Sequence, residues 1–294
     1  MINIVCFKWK RIKTGFQLPT VIDNYGADHV NIMYSSVKRN TTLPFRFVCI
    51  TDDDSGLHPD IHVLPLWNKC VSIGGCYNRL YMFSKDMKHY IGERFIAIDL
   101  DSVIVGNLDS ILSRKEDFII NEYNIAINRY ATHQYYNGGL IMMNAGARDH
   151  VWTKFDPNCS PAELAIRVKN KEIVGSDQAW IAHILGSGES TFSPVDGVYD
   201  YRTLSNKHQL PSDAKIVLFP GKRDPASEYN SVLWVRNHWR TDVCVTNQTV
   251  KLLGKTKLRN QISITSNNMS REEKEKARAK YIEHLRNRQF HLKN

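Results

Sequence analysis

The chain has 294 residues, with 39 Lys plus Arg against 30 Asp plus Glu and a formal net charge of +9. A content of 42% hydrophobic and 23% charged residues argues against global disorder, and no run approaches the roughly 18 apolar residues of a membrane span. The excess charge is local: residues 246–294 hold 12 Lys/Arg and 4 Asp/Glu, a net of +8, which leaves +1 for residues 1–245. An overall basic balance is therefore poor evidence that the body of the protein binds nucleic acid.

Ile2–Phe7 is a short apolar run that predicts a buried strand, followed by a basic loop over Lys8–Lys13. The spacing of Val30, Met33 and Val37 predicts a helix from about Asp23 to Arg39. Phe45–Thr51 reads as a strand stopped by the acidic turn Asp52-Asp53-Asp54-Ser55-Gly56, and His62–Leu66 as another. After Gly74-Gly75, Leu80, Phe83 and Met87 predict a helix over Tyr77–Met87, and Arg94–Leu100 reads as a central strand. Further on, Leu140–Met143 and Lys215–Phe219 suit strands and Asp177–Leu185 a helix. This alternation predicts an α/β domain with a mostly parallel sheet flanked by helices over 1–245. Residues 246–294 read as a polar linker (Gln261–Asn268) and a basic helical C-terminal tail, opened by a capping box from Ser270 to Glu273.

The usual nucleotide signatures are missing. No G-x-G-x-x-G follows the first strand, and Gly254-Lys255-Thr256 ends like a P-loop but has Thr249 where the earlier glycine belongs. No HExxH occurs. The six cysteines (Cys6, Cys49, Cys70, Cys76, Cys159, Cys244) form no Cys-x-x-Cys pair, which fits free thiols in a reducing cytosol. The seven residues before the first charge are too few for a secretory signal, so the expected location is cytoplasmic.

Asp99-Leu100-Asp101 stands out at the end of the apolar run Arg94–Ile98. Residues i and i+2 of a strand face the same way, so both carboxylates project together where α/β sheets place ligands. Like charges so close favour a neutralising cation, and Mg²⁺ or Mn²⁺ suits carboxylate oxygens; an acidic turn is the plainer alternative. Tyr136-Asn137-Gly138-Gly139 allows backbone to approach a ligand. Asp177 and Gln178 open a helix, and Gly221-Lys222-Arg223 follows a strand as a cradle for a diphosphate. Arg79 adds a cation just before the Asp-x-Asp strand.

In this order and spacing, the four motifs resemble those of a GT-A fold glycosyltransferase of the family 8-like group, which includes lipopolysaccharide galactosyltransferases and glycogenin. Lys8-Trp9, Tyr25-Gly26, Val30-Asn31 and Phe45–Asp53 also resemble that group's donor-binding half, and the likeness covers about residues 1–240. The resemblance implies transfer from a nucleotide-sugar donor, with UDP the family expectation, to a glycan or glycolipid acceptor with retention. It implies that Asp99 and Asp101 hold the metal, with Asp99 also touching the donor. Phe7, Lys8 and Trp9 would line the nucleobase and diphosphate pocket, with Asp52 at the base edge. Arg79 would face the diphosphate or sugar; Asn137, Gly138 and Gly139 would shape the sugar pocket. Asp177 and Gln178 would contact the transferred sugar, and Gly221 and Lys222 would close over the diphosphate.

One departure matters. Where many relatives carry a further metal-ligating His, this chain has Leu218 and Pro220, leaving His208 and His238 as candidate substitutes. The competing readings are a catalytically degenerate sugar-nucleotide or glycan-binding protein and a metal-dependent nucleotidyltransferase. For the tail, a solvated helix competes with peripheral attachment to anionic lipid. Ala277, Tyr281 and Leu285 give it only a thin apolar stripe, and no specific nucleic acid is expected as a partner.

Overall fold

The computed structural model describes residues 1–13, 20–22, 25–67, 70, 73, 75–175, 177–221 and 223–242. Lys222 and the tail 246–294, with its linker and capping box, lie outside the described residues. The strands are β1 (Ile2–Lys8), β2 (Arg11–Lys13), β3 (Thr20–Ile22), β4 (Phe45–Thr51), β5 (His62–Pro65), β6 (Arg94–Ile98), β7 (Ser102–Ile104), β8 (Phe118–Glu122), β9 (Tyr136–Asn144), β10 (Ser190–Phe192), β11 (Val198–Asp200) and β12 (Ile216–Leu218).

Seven of them form one sheet in the order β10-β8-β9-β6-β1-β4-β5. Neighbours run parallel except at β9, which is antiparallel to both β6 and β8. The near-continuous apolar runs of the central strands follow from burial on both faces. Val5, Phe7, Val48, Ile50, Phe95, Ala97, Ile141 and Met143 pack on one face. Ile4, Cys6, Phe47, Cys49, Ile96, Ile98, Leu140 and Met142 pack on the other. The first face is covered by the segment Tyr77–Phe83 and helix Asp177–Leu185, the second by helix Ala27–Arg39. Burying a side chain such as Phe95 or Ile96 is worth about 1.5–3 kcal/mol. The strands, rather than the polar residues that follow them, therefore set where those residues stand.

A second sheet, β11-β12-β7, begins directly after Asp101. β12 pairs antiparallel with β7, Leu218 opposite Ser102. Asp99-Leu100-Asp101 is thus the joint between two sheets: Asp99 N–H donates to Gly139 O (2.9 Å) and Phe219 N–H donates to Asp101 O (3.2 Å).

Several expectations need local revision. The single helix over Tyr77–Met87 is instead a 3-10 helix, Tyr77–Phe83, and a short α-helix, Met87–Tyr90, because Ser84 is extended (φ −63°, ψ 144°) and breaks the run. Helix Ala27–Arg39 starts after extended Gly26, later than the apolar spacing suggests; Asp23 lies outside the described residues. The central strand ends at Ile98, the strand around Leu140 extends over Tyr136–Asn144, and the one around Val217 shortens to Ile216–Leu218.

Candidate active site

The carboxyl end of β6 and the segments around it enclose a cavity of about 280 Å³. Arg79, Asp99, Asp101, Asn137, Gly139, Asp177, Gln178 and Gly221 all line it. Motifs spread over more than a hundred residues of chain are thereby brought together.

Arg79 is the organising group. It projects from the 3-10 helix Tyr77–Phe83 and is only 8% exposed. Its Nε donates to Asp177 Oδ2, its Nη1 to Asp99 Oδ1 (2.5 Å) and its Nη2 to Gly138 O (3.2 Å). Burial works against the charged guanidinium, but Asp177 and then Asp99 more than offset it, so its pKa is raised and the cation is firmly held. The glycines follow from this packing. A Cβ at Gly138 would run into Arg79 Nη2, and one at Gly139 would lie 2.9 Å from Asn137 Oδ1, the atom that accepts from Gly139 N–H (2.8 Å).

The two aspartates of the joint differ. Asp99 is raised to about 6, first by burial, with Arg79 pulling it down and Asp101 and Asp177 pushing it up. Its side chain keeps 37% exposure, so water in the cavity shares in solvating it. Asp101 Oδ2 accepts from the Tyr25 hydroxyl (3.0 Å). Among the described residues no group of three or more His, Cys, Asp and Glu converges as a metal site. Two carboxylates lining one cavity, with the proton affinity of Asp99 raised by burial and then by its acidic neighbours, would suit a hard divalent cation. His208 is exposed and His238 half-buried, and neither lines the cavity. Leu218 does line it, which makes that wall apolar.

Asp177 is the first residue of helix Asp177–Leu185 and is 4% exposed. Gln178 turns its amide back, Nε2 donating to Val174 O (2.9 Å) beneath Gly175, whose φ of +96° favours glycine. Gly221 (φ +93°) reaches the cavity because β12 pairs with β7.

Phe7, Lys8, Trp9 and Asp52 do not line the cavity. They lie at the carboxyl ends of β1 and β4, the strands next in order after β6. Phe7 and Lys8 are buried, and Lys8 Nζ donates to Asp53 O (2.5 Å). Asp52 Oδ2 accepts from Lys10 N–H (3.1 Å). Trp9 packs edge-on against Phe7 at 6.1 Å.

Sequence reasoning missed Tyr123 and Arg202, which also line the cavity. Arg202 sits on the 3-10 turn Tyr201–Thr203 and pairs with Asp200 (Nη2–Oδ2, 2.7 Å). Neither residue carries a local signal; only the pairing of β11 with β12 and the path of β8 bring them in.

No family model and no curated protein sequence matches this chain. Solved structures do. A crystal structure of the galactosyltransferase LgtC in complex with donor and acceptor sugar analogues matches at a TM-score of 0.51 and 12% identity, covering 92% of this chain and 98% of that one. An active-site mutant of LgtC matches at 0.50 with the same identity and coverage. At such identity the likeness speaks to architecture. The chain has the GT-A fold that its ordered motifs lead one to expect.

Proposed function

We propose that the chain is a glycosyltransferase that moves a hexose from a nucleotide-sugar donor, a UDP-sugar by family resemblance, to a glycan or glycolipid acceptor. What supports this most is the convergence of Asp99, Asp101, Arg79 and Asp177 with Gly139 and Gly221 on one cavity at the joint of the two sheets. Its volume of about 280 Å³ suits a sugar with its phosphates. The nucleoside would then extend toward Phe7, Trp9 and Asp52.

Asp99 and Asp101 would hold Mn²⁺ or Mg²⁺, which supplies Lewis-acid stabilisation of the leaving diphosphate when bound. Arg79 keeps Asp99 oriented and draws it toward ionisation. Gly139, which lines the cavity, would let the sugar approach the strand, while Gly138, outside the lining, leaves room for Arg79. Asp177 and Gln178 would accept hydrogen bonds from its hydroxyls. Gly221 would place backbone against the diphosphate, and Lys222 would add charge stabilisation as the anomeric carbon–oxygen bond breaks. For a retaining reaction, the departing phosphate oxygen takes the acceptor proton as the new bond forms on the same face. Hydrolysis of a panel of nucleotide-sugars, followed by NMR of the product anomer, tests both parts. No turnover with any donor contradicts the activity, and an inverted product contradicts retention.

A second reading, a sugar-nucleotide-binding protein without turnover, is favoured by apolar Leu218 and by the lack of a third ligand among the described residues. Binding of a nucleotide-sugar with Mn²⁺ in the absence of hydrolysis would select it. No helix among the described residues is long and apolar enough to cross a membrane. Peripheral contact through the basic tail is tested by vesicle co-sedimentation with and without residues 270–294; if both forms stay in the supernatant, the idea fails.

A further inference from the structure

Gln134 belongs to no motif, yet its side chain is only 3% exposed and its amide is used at both ends. Oε1 accepts from Val174 N–H (2.9 Å), while Nε2 donates to Tyr136 O (2.6 Å) and to Gln178 O (3.3 Å). One carboxamide therefore ties the first residue of β9 to Val174, before helix Asp177–Leu185, and to Gln178 in that helix's first turn. The same segment is closed from within by Gln178 Nε2 on Val174 O (2.9 Å). Alongside, His133 N–H donates to Glu172 O (3.1 Å), so the segment before β9 runs beside the segment before the turn.

We infer that Gln134 is a positioning residue for the transfer reaction, holding Val174 and the first turn of helix Asp177–Leu185 against β9 so that Asp177 and Gln178 stand at fixed places beside Arg79 and Asp99. The inference rests on the glycosyltransferase reading for its chemistry, but its geometry stands alone. Tyr136 and Asn137-Gly138-Gly139 share β9, and Gly138 O accepts from the guanidinium that also holds Asp177. Asp177 is thereby fixed from two directions, by Arg79 on its carboxylate and by Gln134 on the backbone around it. Ion pairing alone would leave the turn free to pivot about Arg79; the amide removes that freedom. Buried amides that satisfy several backbone groups at once are costly to lose, since each partner is left unpaired. Small displacements of reacting groups are enough to lower a rate by large factors.

The direct probe is Gln134→Met, which keeps the length and removes all three hydrogen bonds. Amide exchange at Val174 should rise by at least about tenfold, because its N–H loses its acceptor. Turnover of the donor should fall about tenfold or more, while affinity for Mn²⁺–nucleoside diphosphate stays within about threefold, because Asp101 and Gly221 are not on the turn. Gln134→Glu keeps an acceptor for Val174 N–H; it should retain protection there, recover part of the turnover, and carry the test if the Met variant does not fold. Unchanged Val174 exchange in a folded Gln134→Met protein overturns the inference. So does raised exchange with wild-type turnover. If the unaltered protein turns over no nucleotide-sugar, the functional reading falls, and Val174 exchange still decides whether Gln134 holds the turn.

Discussion

One part of the cavity wall is built on Arg79, which is hydrogen-bonded to Asp177, Asp99 and Gly138, on or beside sheet strands and a helix start. Another part comes from turns, with Asp101, Arg202 and Gly221; there Asp101 accepts from the Tyr25 hydroxyl and Arg202 pairs with Asp200. The first wall is a charge network in which one buried guanidinium holds two carboxylates. The second touches that network through the charge of Asp101 acting on Asp99, but its hydrogen bonds are made to other groups. Under the proposed transfer reaction, the first wall would be the rigid seat for the sugar and the second an adaptable edge for the groups that come and go.

The largest expected effect comes from breaking the rigid wall at its centre. Arg79→Met leaves Asp177 (4% exposed) and Asp99 without their cation, and should lower unfolding stability by about 3–5 kcal/mol, read by chemical denaturation. A loss below about 1 kcal/mol would show that the network is not coupled as drawn. Next is Gly138→Ala, whose Cβ must displace Arg79 Nη2; overpacking of this kind costs about 1–3 kcal/mol and should lower turnover as well.

The pH response follows from Asp99. Its pKa is raised to about 6, so the folded chain holds this proton more tightly than the unfolded chain does. Its contribution to stability is therefore fullest at low pH and is lost as pH rises through about 6. Asp99→Asn should thus compare better with the unaltered protein at about pH 7.5 than at about pH 4.5. Parallel stability curves would remove Asp99 as the source. The smallest effect belongs to the adaptable wall: Arg202→Ala should change stability by no more than about 0.5 kcal/mol, since it is an exposed turn residue. A loss of several kcal/mol would erase the contrast between the walls.

How much of this was legible in the chain depended on whether the signal was local. Phe45–Thr51 and Asp177–Leu185 form the expected strand and helix residue for residue, because each is a compact apolar run bounded by polar breakers. Asp99 and Asp101 were visible because two acids directly after a buried strand conflict with their setting unless they serve something. Helix Ser160–Lys169 gave no such pattern, since Ile166 (67% exposed) and Val168 (39%) face outward and blur the apolar stripe. Gln134, Tyr123 and Arg202 act through contacts made only when β8, β9 and the second sheet assemble. The Asp-x-Asp, Asn-Gly-Gly, Asp-Gln and Gly221 segments all contribute to one cavity. Phe7, Lys8, Trp9 and Asp52 instead occupy neighbouring strand ends.

In the proposed reaction Asp101, at the joint of the two sheets, serves metal-assisted transfer rather than folding. Nucleotide-sugar turnover by Asp101→Ala, measured with Mn²⁺ and with EDTA beside an unfolding curve, tests it most directly. The expected result is a folded variant with turnover reduced at least about a hundredfold, and an unaltered protein that loses activity in EDTA. Full turnover by the variant in EDTA would contradict it.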